Sequence, residues 1–282
     1  MQQNVTFSRF ELTDEDFNYL CALIGDQAGI RLTSAKRELV YARLAKRLRA
    51  LGLRSFRQYC DLLRGGDEEE KVHCVNAITT NVTFFFREAH HFEYLEQTVL
   101  PELMEEKIRA GSRRLRVWSA GCSSGEEAYS LGIVLREQPA LQNWDVRVLA
   151  TDVDTHILER ARRGIYDLKQ IEKVSPARRS RWFRVGIGRN EGLVSVLPEL
   201  KERIYFRQVN LKEPWPMHGP FDVIFCRNVV IYFDREMQRK LFDRFAGILS
   251  SNGHLFIGHS ESLFGLSNRF RLVGPTIYRK TG

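Results

Sequence analysis

From residue 13 to residue 78 the apolar positions recur at helical spacing. Phe17, Leu20, Cys21 and Ile24 stand at i, i+3, i+4 and i+7 behind Thr13-x-x-Asp16, a variant capping box, and predict a first helix. A second is predicted to start near Ser34, with Glu38 completing a box and Leu44, Leu48 and Leu51 on its apolar side. Phe56, Tyr59, Leu62 and Leu63 predict a third, stopped by Gly65-Gly66, and residues 70–78 a fourth. From Leu115 the rhythm changes to strand, loop, helix. Strands are expected at 115–119, 146–151, 204–209, 221–226 and 254–258, with helices between them at 126–135, 156–163 and 235–249. Such alternation implies a parallel, doubly wound sheet. Residues 270–273 and 276–278, around Gly274-Pro275, predict a closing hairpin. Residues 165–203 break the alternation with a short helix at 176–183 and a Gly-rich hairpin or small sheet, an insertion into the main domain.

Composition narrows the class. The chain has 282 residues, 43% hydrophobic and 28% charged, enough for one large α/β domain and a smaller partner. No apolar run approaches the roughly 18 residues that span a bilayer. The start, Met1 to Glu11, is polar, unlike an export signal, and a cytoplasmic protein without membrane insertion is expected. Five scattered cysteines without a Cys-x-x-Cys pair indicate neither zinc nor a disulfide framework, so no metal is expected. Net charge is +8, and residues 31–64 hold ten Lys/Arg against Glu38 and Asp61. A solvated helix face is the plain explanation; so local a surplus favours a docking surface for an acidic partner.

Trp118-Ser-Ala-Gly-Cys-Ser-Ser-Gly-Glu-Glu127 joins a predicted strand to a helix, where sheets of this kind bind ligands. Gly121 and Gly125 do not make G-x-G-x-x-G, and Glu126 and Glu127 would repel a pyrophosphate from the helix start. Gly121–Gly125 does satisfy the nucleophile-elbow spacing G-x-S-x-G, with Asp152 and His259 following in hydrolase order, but no oxyanion segment precedes it. The third reading is S-adenosylmethionine, a cationic ligand without phosphate. For it the carboxylates help, with Asp152 at the second strand's end accepting from a ribose. A helix-dipole role is the plain alternative for Glu127, and an N-cap role for Asp152 or Asp154.

Two more segments narrow the choice: Asn81-Val-Thr-Phe-Phe-Phe-Arg87 and Phe225-Cys-Arg-Asn-Val-Val-Ile-Tyr-Phe-Asp234. With Ser-Ser-Gly-Glu-Glu-Ala-Tyr-Ser and Ala-Thr-Asp-Val-Asp, they closely resemble the chemotaxis receptor glutamate methyltransferases, the CheR family, in order from about residue 13 to 280. The resemblance implies a Rossmann-like class I methyltransferase sheet with an all-helical N-terminal domain (1–88), a catalytic domain (89–282) and an inserted antiparallel β subdomain (about 165–203). It implies methyl transfer from S-adenosylmethionine to receptor glutamates, yielding methyl esters and S-adenosylhomocysteine, beside chemoreceptor arrays. The basic helices would face receptor methylation helices, and Gly186–Gly192 resembles the type that adds a receptor's C-terminal peptide as a strand. By position, Asn81, Thr83 and Arg87 would contact the donor, Glu127 its methionyl end and Asp152 its ribose. Asn210 and Leu211 would border the adenine, Arg227 and Asn228 would close the pocket, and Tyr232 would lie beside the methyl. The chain departs from the commoner family form at Gly121, Cys122 and Ala128.

Two other classes stay open on the sequence. An RNA methyltransferase would suit the charge, but base N-methylating enzymes usually carry Asn/Asp-Pro-Pro-aromatic where this chain has Cys226-Arg-Asn-Val, and no nucleic acid is expected. Within that class Cys226 could attack a pyrimidine as a covalent nucleophile, a structural role being the plain alternative; the second class is a non-catalytic receptor adaptor that retains donor affinity.

Overall fold

The computed structural model describes residues 10–281; residues 1–9, most of the polar start, lie outside the described residues. The chain divides between Thr80 and Asn81 into two compact units.

The first unit contains α1 (Asp14–Ala28), α2 (Arg37–Ala50), α3 (Phe56–Arg64) and α4 (Glu68–Ile78). Thr13 Oγ1 accepts the Asp16 N–H at 3.1 Å and donates to Asp16 Oδ2 at 2.8 Å, so the capping spacing starts α1. Leu20, Ile24, Leu44, Leu48, Phe56 and Leu63 meet in one core. Two expectations need correction. Ser34 opens a separate 3-10 turn, Ser34–Lys36, and α2 begins at Arg37 without a side-chain cap. Leu51 lies past the last turn and is 38% exposed, because α2 buries Val40, Leu44 and Leu48 instead.

The basic surplus is partly structural. Arg47 forks onto Glu70, with Nε at 2.8 Å and Nη2 at 2.5 Å, while Tyr59 donates to the same buried carboxylate at 2.7 Å. Arg43 caps the end of α4 by donating to the carbonyls of Ile78 and Thr79. Arg37, Arg57 and Arg64 pair with Asp14, Glu15 and Asp61.

The second unit opens with α5 (Ala89–Tyr94), which runs through a π turn (Leu95–Val99) into α6 (Leu100–Arg109). It continues with β1 (Arg114–Ala120), α7 (Glu126–Arg136), β2 (Asp145–Asp152) and α8 (Thr155–Arg163). The insertion follows: β3 (Ile165–Asp167), α9 (Pro176–Trp182), β4 (Phe183–Val185), β5 (Leu193–Val196) and α10 (Pro198–Lys201). Then come β6 (Ile204–Gln208), β7 (Phe221–Cys226), α11 (Arg235–Ile248), β8 (Leu249–Ile257), β9 (Phe270–Gly274) and β10 (Ile277–Lys280).

The main sheet has the order β6-β2-β1-β7-β8-β10-β9. Its first five strands are parallel, and β10 runs antiparallel between β8 and β9. Apolar clusters pack on both faces, and all six residues of β7 are buried, as a central parallel strand requires. The chain winds outward from β1 through β2 to β6, then restarts at β7. The carboxyl ends of β1 and β7 therefore flank the point where winding direction reverses, the place such sheets bind ligands. The insertion folds as an antiparallel sheet of order β3-β5-β4.

Candidate functional site

The loop after β1 is shaped by two glycines. Gly121 has φ +85°, and a Cβ there would sit 2.3 Å from Val229 Cγ2, so the loop lies directly against the segment after β7. Gly125 has φ +97° and would meet Ala161 and Tyr166 at about 3 Å. Between them Cys122 is buried and the Ser123 N–H donates to Asp152 Oδ2 at 2.8 Å. Asp152 Oδ1 accepts the Asp154 N–H at 3.1 Å. Burial pushes the Asp152 carboxyl up to about 6, although these N–H bonds pull the other way.

The Asn81–Arg87 segment is tied to the same loop. Asn81 Nδ2 donates to Asp154 Oδ2 at 2.9 Å, its carbonyl accepts the Ser123 hydroxyl at 3.1 Å, and the Phe86 N–H donates to Ser130 of α7 at 3.0 Å. Phe85 is buried against Tyr166 and Phe183, the core role expected of one aromatic here. Arg87 folds back to donate to the Val82 carbonyl at 2.8 Å, leaving most of its guanidinium N–H groups for a ligand.

Arg227 is the buried hub of the site. Its Nε donates to Glu127 Oε2 at 2.7 Å, and Nη1 donates to the Arg87 carbonyl at 2.5 Å and to His91 Nδ1 at 3.2 Å. Phe92 and Phe225 lie beneath the guanidinium. Glu127 takes a second bond from Ser119 at 2.6 Å. Since Arg227 only donates, His91 Nδ1 accepts, and Nε2 carries the proton toward Pro275 O and Thr276 Oγ1. Burial and the nearby Arg227 lower His91 to about 4, so the ring is neutral. Glu88 stands 3.6 Å from Arg227 and accepts from His259 at 2.9 Å; burial opposes its ionisation, but His259 and Arg227 outweigh it and hold the carboxyl low.

The segment after β7 is fixed by Glu261, which accepts the N–H groups of Gly258, Asn228 and Ile231 at 2.6, 3.0 and 3.3 Å. Burial raises this carboxyl above the ordinary range. Tyr232 is half-buried in a 3-10 turn on this segment. Asn210 turns the chain after β6 by accepting the Lys212 N–H, and Leu211 is buried in the core around Trp118. Neither Thr83 nor Tyr232 is joined to the hub by a side-chain hydrogen bond among the described residues. Glu88, His91 and Glu261 were not expected from sequence; each lies outside the motifs, and only its position after folding gives it partners.

Backbone strain marks the same place. The non-glycine residues with left-handed φ among the described residues are Phe86, Glu88, Ser123, Asn228 and Thr276. Three lie in the converging segments, Glu88 directly follows Arg87, and Thr276 bonds His91. Strain of about 1–3 kcal/mol each persists where surrounding contacts enforce it, commonly at ligand sites.

The alternative chemistries fare poorly. Ser123 donates to a carbonyl and His259 bonds Glu88, so no Ser–His pair forms. Burial lifts the Cys226 thiol well above its ordinary value, away from thiolate chemistry. The carboxylates are compatible with a cationic, phosphate-free nucleoside: Glu127 stands in the first turn of α7 after β1, and Asp152 at the end of β2. Among the described residues no group of three metal-ligating side chains gathers.

Comparison with known proteins assigns both units to one family. Residues 15–79 match the all-alpha domain of CheR methyltransferase, and residues 81–279 match its SAM binding domain. A probable chemotaxis protein methyltransferase of Rhizobium etli is 45% identical over 262 residues, covering 92% of this chain and 97% of that protein. The chemotaxis protein methyltransferases of Salmonella typhimurium and Escherichia coli are 43% and 42% identical, each over 96% of this chain and 91% and 92% of their own length. The chain belongs to the CheR methyltransferase family and is an S-adenosylmethionine-dependent methyltransferase.

Proposed function

We propose that the protein transfers the methyl group of S-adenosylmethionine to glutamate side chains on the cytoplasmic helices of chemoreceptors. The observation that carries this reading is the meeting of Asn81–Arg87, Ser119–Glu127, Asp152 and Arg227–Tyr232 at the sheet's switch point. Asp152 would accept from the ribose hydroxyls. Glu127, held by Ser119 and Arg227, would face the methionyl ammonium with its remaining lone pairs. Asn81, Thr83 and Arg87 would line the donor, Arg87 meeting a carboxylate, while Asn210 and Leu211 border the adenine and Arg227 and Asn228 close the pocket.

The donor supplies an electrophilic methyl. The acceptor glutamate is ionised at neutral pH, its reference pKa being about 4.3, so no general base is needed. The chain's task is then to align and to exclude water. Arg87 would orient a carboxylate by paired hydrogen bonds and Tyr232 would wall the methyl. An anion meeting a sulfonium disperses charge as it reacts, which a dry pocket favours over hydrated ions. Alignment supplies up to about 7–11 kcal/mol in well-placed systems.

The helical domain (1–88) would dock receptor helices and the catalytic domain (89–282) would carry the chemistry. Both outer strands of the insertion (about 165–203) have an open edge, and Val185 and Ile187 are exposed beside one of them. That edge suits a receptor tail peptide added as a strand near Gly186–Gly192. The test is incubation with labelled donor and receptor membranes, followed by alkali. Volatile labelled methanol is expected from methyl esters; alkali-stable label would refute the reading, and no label would leave a receptor-binding adaptor.

A further inference from the structure

The face of β1, β2 and β6 turned away from the larger core carries a second constellation, running from Arg114 at the start of β1 to Arg207 near the end of β6. On β1, β2 and β6, residues alternate between faces. Leu115, Val117, Val146, Val148, Ile204 and Phe206 fill the core on one face. The opposite face presents Arg114, Arg116, Arg147, Leu149, Tyr205 and Arg207. In a doubly wound sheet a helix would cover them. Here the link from β6 to β7, residues 209–220, forms no helix, and the strands stay uncovered at this edge. The link's last residues, Met217, His218, Gly219 and Pro220, with Phe221, wall a cavity of about 380 Å³ over those side chains. That volume lies within the usual range for small-molecule sites.

The charge inside is poorly compensated. Arg116 and Arg147 are direct partners in the β1–β2 register, an arrangement of like charges that destabilises a sheet. Asp145 pairs with both. Arg114 and Arg207 are exposed and pair with no carboxylate among the described residues. Four guanidiniums against one carboxylate leave three positive charges around one cavity. Leu149, Met217 and Phe221 give it an apolar side, and Tyr205 lies under Arg147 with 5.9 Å from guanidinium carbon to ring centroid.

We infer that this cavity binds an organic phosphate, with the arginines holding a multiply charged anionic group and Tyr205, Leu149 and Met217 receiving a planar apolar body. Guanidinium forks match phosphate geometry, and an anion relieves the repulsion between Arg116 and Arg147. A concave wall on one side favours a small molecule over a broad acidic protein surface. The inference is independent of the methyl acceptor's identity.

The experiment is calorimetry at 150 mM salt with S-adenosylhomocysteine saturating, so that an adenine cannot report from the donor site. Adenosine triphosphate, inorganic pyrophosphate and a polyglutamate peptide are titrated separately. Adenosine triphosphate is expected to bind one-to-one, at least tenfold tighter than pyrophosphate. The exposed double variant Arg114→Ala/Arg207→Ala is expected to weaken it at least tenfold, with methyl transfer unchanged. A control variant, Lys36→Ala/Lys46→Ala, is expected to bind as the parent does. No saturable binding, equal loss in both variants, or parity of pyrophosphate with the nucleotide would overturn the inference. Tighter binding of polyglutamate at the same arginines would overturn it in favour of an acidic polypeptide.

Discussion

Asp152 joins the loop after β1 to the start of α8 and, on the reading above, also receives the donor's ribose. Its carboxyl is pushed up to about 6 from an ordinary 3.8, chiefly by burial. The sign of the consequence is fixed by linkage. Without donor the unfolded chain releases this proton first, so the group lowers stability as pH rises from about 4 to about 6. Hydroxyls donate best to the ionised acid, so donor affinity should be level above about 6 and fall by up to tenfold per pH unit below it. Calorimetry with S-adenosylhomocysteine from pH 8 to pH 5 reads this directly, and Asp152→Asn should bind weakly with that slope removed. A parent profile as flat as the variant's would take Asp152 out of the site. At this scale the sequence was informative wherever the chemistry lay in a contiguous motif: Asn81, Glu127, Asp152 and Arg227 all converge. It was silent on Glu88, His91 and Glu261, which bond His259, Thr276 and Asn228 far along the chain. It also left open that Arg227, expected to close the pocket, is buried and holds Glu127 and the Arg87 backbone together.

Elements rather than residues set the approach of the loops after β1 and β7. Gly121→Ala would place a methyl 2.3 Å from Val229 Cγ2 at a left-handed φ. Overpacking costs about 1–3 kcal/mol and the conformation about 1–2 more. Pairing it with Val229→Ala should remove the clash and leave the conformational part, a coupling of about 1 kcal/mol or more in urea unfolding. Strict additivity would mean the two loops do not lean on each other. The strand-helix alternation was readable because parallel strands buried on both faces appear as short apolar runs, and 221–226 is such a run. The apolar pattern predicts no element over residues 89–113, which contain α5, the π turn and α6. Pro101 interrupts the reading there, and the π turn just before it alters the carbonyl pattern at the position where proline needs relief. β8 starts at Leu249, five residues before the expected strand, because Phe221 pairs with Leu249 across a register shift. The expected helix runs to Leu249, and the polar stretch 250–253 is expected in no element although it belongs to β8.

Over the whole molecule, net charge of +8 says little until each cation is assigned a partner. Of the ten Lys/Arg in residues 31–64, Arg37, Arg43, Arg47, Arg57 and Arg64 are engaged within the helical unit itself. Arg31, Lys36, Lys46 and Arg54 are exposed and enter no ion pair among the described residues. If the helical unit docks an acidic receptor surface as proposed, these four are the residues free to meet it, and the two groups should respond differently to substitution. Arg47→Ala strands Glu70 with only Tyr59, and loss of a partner from a buried pair costs about 3–5 kcal/mol; the helical unit should unfold early in a thermal scan. Replacing Arg31, Lys36, Lys46 and Arg54 together by Ala should leave the scan and donor affinity unchanged. It should raise KM for receptor membranes several-fold at low salt while kcat holds, and the gap should close toward 0.5 M salt as screening shortens to a few ångströms. A quadruple variant with the parent's KM at low salt would return the whole basic segment to a structural role, leaving recognition to the catalytic unit.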